Sequence, residues 1–402
     1  MPSVCYHANM KTLKFKLYQH KRNRHLKRSI NAAGVIYNHC IALHKRYYRI
    51  CGKHLNCARL QKHIAKLRKR NPFWQLVGSQ AVQDICQRIE KAYQLFFKHH
   101  KKGCRPPGFK KVKKYKSFTL KQAGYKLLGG NRVKIGTRIY QYWNSREIEG
   151  TLKTLTIKRT PLGELFMVIV VDSADARSPV SSPLGRRHGL ASLSQPEVTF
   201  ETSKIAGFDF GLKAFLTCSE GFKIESPEFL KASLNVIRKA SSQHSRKLKG
   251  SGGRERARKH LVRQHEKVSN RRRNWFWKLA HELTNKFDVL CFETLNLKGM
   301  QRFWGRKVND LALGDFLQIL EWVAKKKGKQ VIYIDPWYPS TKTCSCCGHV
   351  LNELDLSVRR WRCPSCHQVN DRDENAALNI KRVGSSTLGV GDVRQEFLLQ
   401  SL

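Results

Sequence analysis

The sequence predicts an α/β plus α+β protein in two halves. The first is an antiparallel β-sheet or small barrel with a helical insert, and the second a mixed α/β domain holding a cysteine-rich insert. Three observations lead there. Short runs around 11–18 and from 118 to 171 alternate apolar and polar residues with the period of half-buried strands. Between them, apolar residues recur at three- and four-residue steps, the period of helices. From residue 204 onward, strand-length apolar runs interchange with helical patterns, as in a mixed α/β domain.

The 402 residues are enough for two or three domains of ordinary size, and 41% hydrophobic with 10% aromatic types is enough to build their cores. Charge is the unusual property. With 77 Lys and Arg against 29 Asp and Glu, the net charge is +48, far beyond what solubility needs. Self-repulsion on that scale opposes a compact state unless a polyanion neutralises it. Nucleic acid is the polyanion favoured, because no stretch approaches the roughly 20 apolar residues of a spanning helix. The N-terminus lacks a continuous apolar signal region, so a reducing, cytoplasmic compartment is expected. There the 13 cysteines read as free thiols plus a metal site.

Lys11 to Tyr18 alternates apolar and basic residues, a strand with a positive outer row. Ala33, Ile36, Tyr37, Cys40, Ile41, Leu43 and Tyr47 mark a long helix, and Val82, Ile85, Cys86, Ile89, Tyr93 and Phe96 another, with Ser79 as its expected N-cap. From Lys98 to Lys116 nine Lys or Arg and no acid are interleaved with Pro106, Pro107, Phe109 and Tyr115. Such a loop suits phosphate contact with base stacking, and its bland counterpart is a disordered basic linker. Short alternating runs then return the chain to sheet, with turns at Gly129-Gly130 and Leu162-Gly163.

These patterns divide the chain into a nucleic-acid-binding domain over 1–172, whose helical insert covers about 20–102, and a linker over 173–203 rich in Ser, Pro, Gly and Arg. A mixed α/β domain occupies 204–340 and resumes over 371–384, the cysteine insert lies at 341–370, and a tail covers 385–402.

Three acids stand out in a chain poor in them. Asp209 lies near the end of the strand Ile205 to Phe210, Glu293 directly follows the apolar run Val289 to Phe292, and Asp373 lies at the start of a helix that Asp371 caps. A carboxylate held at the end of a buried strand is placed rigidly, which suits metal ligation. Cleavage of a phosphodiester by two divalent ions needs several acidic oxygens to clamp them. Carboxylates with water favour Mg²⁺, with Mn²⁺ as a substitute. We read Asp209 as bridging both ions, with Glu293 and Asp373 each closing one side. Asp288, Asp335 and Asp371 read as structural acids.

Cys344 and Cys347, then Cys363 and Cys366, have the two-plus-two spacing of a four-thiolate zinc site. Four thiolates leave no position for substrate, so the zinc is structural. Cys346, His349 and His367 are off the spacing. Trp361 and Arg362 between the pairs either touch nucleic acid or pack under a knuckle.

Taken together, Gly207-Phe-Asp-Phe-Gly-Leu-Lys213, Glu293-Thr-Leu-Asn-Leu-Lys-Gly-Met300, Pro339-Ser-Thr-Lys-Thr-Cys-Ser-Cys-Cys-Gly348 and Asp371-Arg-Asp-Glu-Asn-Ala-Ala-Leu-Asn-Ile380 resemble the RuvC-like nuclease and zinc ribbon of the transposon-encoded TnpB family, relatives of the type V CRISPR effectors. Phe15-Lys-Leu-Tyr18, Ala33 to Asn38 and the segment up to Ser117-Phe118 are similar more loosely. The resemblance implies an RNase H-like second domain and a prokaryotic RNA-guided DNA endonuclease of an insertion sequence. Such a protein binds a guide RNA from the transposon end, reads a short motif beside double-stranded target DNA, and cuts with Mg²⁺ in one RuvC site. It also implies catalytic roles for Asp209, Glu293 and Asp373 and zinc ligation by the four cysteines. We expect a monomer, associated with the nucleoid when on DNA. A nuclease-inactive RNA-guided DNA-binding regulator and a DNA-joining transposase are the alternatives.

Overall fold

The computed structural model describes residues 10–21, 23–172, 204–211, 214–296, 299–300, 305, 308–355 and 357–387. The stretch read as a linker and residues 388–402 of the tail lie outside them. The described residues fall into two units, one ending at 172 and the other starting at 204.

In the first unit, β1 (Met10–Lys16) leads into four helices: α1 (Asn23–Cys51), α2 (Cys57–Arg70), the single turn α3 (Pro72–Gln75) and α4 (Ser79–His99). The chain then returns through β2 (Ser117–Leu120), β3 (Tyr125–Leu127), β4 (Arg132–Ile135), β5 (Arg138–Gln141), β6 (Thr151–Arg159) and β7 (Leu165–Asp172). A four-stranded antiparallel sheet has the order β1-β7-β6-β2, and β3-β4-β5 form a separate meander. Along β7, alternate side chains Leu165, Met167, Ile169 and Val171 are buried, so one sheet face is core. That face and the stripes of α1 and α4 form one continuous core, with Phe15, Ile36, Ile85 and Ile157 in it.

One expectation is corrected here, and one helix was not singled out by the sequence. The α4 N-cap is Gly78, without a side-chain cap bond, and Ser79 is already helical. Helix α2 carries a narrow stripe at Leu60, Ile64 and the partly buried Leu67, too thin to mark a helix beside its many cations.

In the second unit a five-stranded sheet has the order β10-β9-β8-β11-β12. It is built from β8 (Ile205–Asp209), β9 (Ala214–Cys218), β10 (Lys223–Glu225), β11 (Val289–Glu293) and β12 (Gln330–Ile334). The first three strands are antiparallel, while β11 runs parallel to both β8 and β12. Three antiparallel strands followed by two parallel ones are the arrangement of an RNase H-like sheet. Parallel strands need crossovers, which the helices provide. These are α5 (Phe229–Ser245), α6 (Gly252–Lys286) and α7 (Leu313–Lys326). At 35 residues α6 is about 50 Å long. Its basic first half buries nothing before Val268, whereas Phe276, Leu279, Ala280 and Leu283 pack into the core. There Phe208, Phe215, Phe276, Phe292 and Phe316 are each at most 2% exposed, with Phe208 stacked on Phe292 at 5.2 Å. A two-stranded ribbon of β13 (Arg360–Arg362) and β14 (Val369–Asp371) then feeds α8 (Arg372–Ser386).

Candidate active site

Two of the three acids sit at neighbouring strand ends. Phe208 pairs with Phe292 across β8 and β11, so Asp209 and Glu293 follow at the same edge of the sheet. The strands Ile-Ala-Gly-Phe-Asp and Val-Leu-Cys-Phe-Glu are almost wholly buried, and this holds both carboxylates on rigid backbone. Asp373 arrives from elsewhere, in the first turn of α8. Its helix starts where Asp371 Oδ1 accepts the amide N–H groups of Asp373 (3.1 Å) and Glu374 (3.2 Å).

Helix α8 reaches the strand edge through two glycines. A side chain on Gly207 in β8 would overlap the backbone of Ala377 and Lys381, and one on Gly384 in α8 would overlap the side chain of Cys291 in β11. Each glycine therefore permits a backbone approach that any other residue blocks. The helix lies directly on the two strands that carry Asp209 and Glu293.

The electrostatics report the same convergence. Asp209 is 7% exposed, and its carboxyl is pushed well above the usual carboxylate range. Burial is the chief cause, followed by the negative charges of Glu293 and Asp373, while Arg372 and the Phe210 amide act in the opposite sense. Burial also raises Glu293. Asp373 is partly paired, with Arg359 Nη1 3.3 Å from its Oδ1. Three acids that repel one another in a protein of +48 are poorly placed for folding and well placed for a cation.

Among the described residues, the four cysteines are the one group of three or more such ligands gathered within 4.8 Å. The carboxylate oxygens of the three acids are thus not all within that distance of one another. That fits Mg²⁺, which keeps several waters and takes one or two carboxylates, with phosphate oxygens completing the shell.

The cysteines fit zinc closely. A tetrahedron with Zn–S of about 2.3 Å has sulfurs about 3.8 Å apart. The Sγ atoms of Cys344 and Cys366 are separated by 3.7 Å, and those of Cys347 and Cys363 by 3.6 Å. Each knuckle closes with a left-handed residue, Gly348 (φ 80°) and His367 (φ 59°), whose amides donate to the carbonyls of Cys344 and Cys363. Trp361 is buried with Cys344 and Cys363, so it packs under the knuckle.

Asn375 and Asn379 are residues that sequence reasoning missed. They lie one turn apart on α8, and both are buried. Asn379 Nδ2 donates to the carbonyls of Ser340 (2.9 Å) and Thr343 (2.6 Å). Asn375 Nδ2 donates to Thr343 (2.7 Å), and its Oδ1 accepts from the Ser345 amide (2.8 Å). The pair fastens the first cysteine knuckle to the helix of Asp373. Two Asn spaced i, i+4 inside an apolar helical run are the signal that would have found them, since buried amides need partners.

The basic loop in the first unit is ordered. Tyr37 Oη donates to the Gly108 carbonyl at 3.1 Å, and the Asn38 side chain brackets Lys110, donating to its carbonyl (2.8 Å) and accepting from its amide (2.9 Å). Phe109 stays 59% exposed, with Lys45 over its ring at 4.7 Å.

Two family models match. Residues 190–303 match a family described as "Probable transposase", and 314–380 match "Cas12f1-like, TNB domain". The first match opens inside the stretch read as a linker. A "Putative RNA-guided DNA endonuclease" of Streptomyces pristinaespiralis is 27% identical over 319 residues, covering 79% of this chain and 74% of the relative. The "Putative RNA-guided DNA endonuclease InsQ" of Escherichia coli K12 is 24% identical over 393 residues, 92% of this chain and 91% of that one. "TnpB-like protein L79" of Acanthamoeba polyphaga mimivirus is 36% identical over 133 residues, 31% of this chain and 25% of the relative.

Proposed function

We propose that the chain is a member of the TnpB family and an RNA-guided DNA endonuclease of an insertion sequence. The observation that carries this reading is the convergence of Asp209, Glu293 and the helix of Asp373 on one edge of the sheet. Asp209, Glu293 and Asp373 would hold two Mg²⁺ ions, with Mn²⁺ able to replace them. When bound, the ions activate water and stabilise the leaving oxygen of a phosphodiester.

The residues of the chain set up that reaction. Burial keeps water from screening the Asp209 carboxylate, and the β8 and β11 backbones fix its separation from Glu293. Gly207 and Gly384 let Asp373 approach from the third side. The cysteine quartet would take structural zinc, and Asn375 and Asn379 transmit its rigidity to α8. The cationic excess, including the loop around Phe109, would hold a guide RNA from the transposon end and the double-stranded target. Among the described residues no helix is long and apolar enough to cross a membrane. We place the protein in the cytoplasm, as a monomer that joins the nucleoid when on DNA.

The test starts from the protein as purified. A discrete RNA should co-purify, and its variable end should direct linearisation of a plasmid carrying the matching target in the presence of Mg²⁺. Asp209→Ala should lose at least about a thousandfold in rate, as expected when a transition-state-stabilising group is removed. Cleavage by that variant at the wild-type rate would sink the mechanism. The "Probable transposase" description of one matching family favours a second reading, joining of transposon ends, which RNA-free joining by the purified protein would support.

A further inference from the structure

Trp337 is 90% exposed, more than any other large apolar side chain among the described residues. Single exposed apolar residues are ordinary on protein surfaces. This one differs in its anchoring and its place. Its amide donates to Asp335 Oδ1 at 2.8 Å, the Tyr338 amide donates to the Asp335 carbonyl at 3.2 Å, and the Ser340 amide donates to the Tyr338 carbonyl at 2.8 Å. A turn of this kind accepts any side chain at 337, so the indole is not needed for the fold.

The segment from 335 to 340 runs between the two elements that flank the acids. It begins just past Ile334, the residue paired with Glu293 across β11 and β12, where Thr294 Oγ1 donates to the Ile334 carbonyl at 2.7 Å. It ends at Ser340, whose carbonyl is held by Asn379 of α8, the helix of Asp373. Tyr338, partly buried against Val289, Cys291 and Ile334, seats the middle of the segment, and Arg382 Nη2 lies 3.5 Å from its hydroxyl. A broad flat ring is thus presented on fixed backbone, within one short loop of Glu293 on one side and of the Asp373 helix on the other, with a guanidinium near.

We propose that Trp337 is a stacking platform for an unpaired base of the DNA strand led to the acids. The ligand class is single-stranded nucleic acid of any sequence, because every base offers a π face and a paired base within a duplex offers none to an outside ring. The proposal rests on the endonuclease reading and assigns how the substrate strand is held beside it.

The experiment compares wild type, Trp337→Ala, Trp337→Phe and Asp209→Ala, all full-length and carrying guide RNA. Binding of a short fluorescent oligothymidylate is measured beside cleavage of a guided target. Trp337→Ala should bind the oligonucleotide about tenfold more weakly and cleave correspondingly more slowly, while Trp337→Phe stays within about twofold of wild type. Melting temperature should be unchanged, given the exposure of the ring. Asp209→Ala should bind normally and not cleave. Failure of the wild type to cleave would count against the endonuclease reading and leave the binding comparison to decide the role of Trp337. Wild-type oligonucleotide binding by Trp337→Ala would overturn the proposal, as would equal losses in the Ala and Phe variants.

Discussion

Gly207 in β8 and Ala377 in α8 meet backbone to backbone, with no room between them for a single methyl group. Neither partner can turn away, because the obstructing atoms are the Ala377 carbonyl oxygen and the Lys381 amide nitrogen. Gly207→Ala should therefore lift the helix of Asp373 off the strand of Asp209. We expect a loss of about 1–3 kcal/mol in stability, typical of overpacking, and a larger fall in cleavage than in target binding. Thermal melting and a guided cleavage assay check both, and unchanged activity in the variant would show that α8 need not sit so close.

Asn379→Ala should cost about 1 kcal/mol, because it removes one of the two amide donors to the Ser340 and Thr343 carbonyls and leaves Asn375 alone to hold them, at 3.4 and 2.7 Å. The informative readout is zinc. Dissociation of the metal under a chelator challenge should accelerate in the variant, since Thr343 directly precedes the ligand Cys344. Equal release rates would separate the helix from the knuckle.

Metal analysis should find one zinc per chain, and Cys363→Ser should lose it. Removing one thiolate from a closed tetrahedral site removes most of its affinity, and metal binding there contributes directly to folding. The variant should become protease-sensitive between 341 and 370 while Asp209 and Glu293 remain on an intact sheet. Retention of zinc at full occupancy by Cys363→Ser would contradict the ligand set.

Asp209 makes the metal-free protein pH-sensitive in a stated direction. Its carboxyl is raised in the fold by burial first and by Glu293 and Asp373 next, so the folded state holds a proton that the unfolded state has released. This contribution to stability is present below the ordinary Asp range and is lost as pH rises through the raised value. In divalent-free buffer, Asp209→Asn should melt higher than wild type at pH 8, with the gap narrowing toward pH 5. Added Mg²⁺ should favour wild type alone. A gap that is constant across pH would mean that Asp209 titrates as an ordinary surface acid.

Much of the second unit was legible because its signals are local. Val289 to Glu293 reads as a buried strand from composition alone, and Asp371 caps its helix through its own side chain. What was not legible depends on partners distant in sequence. Nothing around Gly207 announces that Ala377 will lie against it, and Asn375 and Asn379 look like surface residues until the Ser340 to Ser345 loop is placed over them. The Ser79 cap failed for a local reason. Gly78 supplies the extended backbone before α4, and Ser79 falls one residue inside the helix. The exposure of Trp337 was likewise invisible, since an indole between two prolines reads equally well as a packed turn residue.

The docking of α8 on β8 and β11 also orders events during synthesis. Asp373 is translated 164 residues after Asp209, by subtraction of their positions. At 5–20 residues per second this is an interval of about 8–33 s. Once Glu293 has been added, and until Asp373 follows, the ribosome-bound chain has its basic first half and two of its three acids, while the strand surface around Gly207 and Cys291 waits without its cover. A chain aborted in that window keeps its cationic excess yet lacks the third carboxylate, so on the proposed mechanism incomplete products would not cleave DNA.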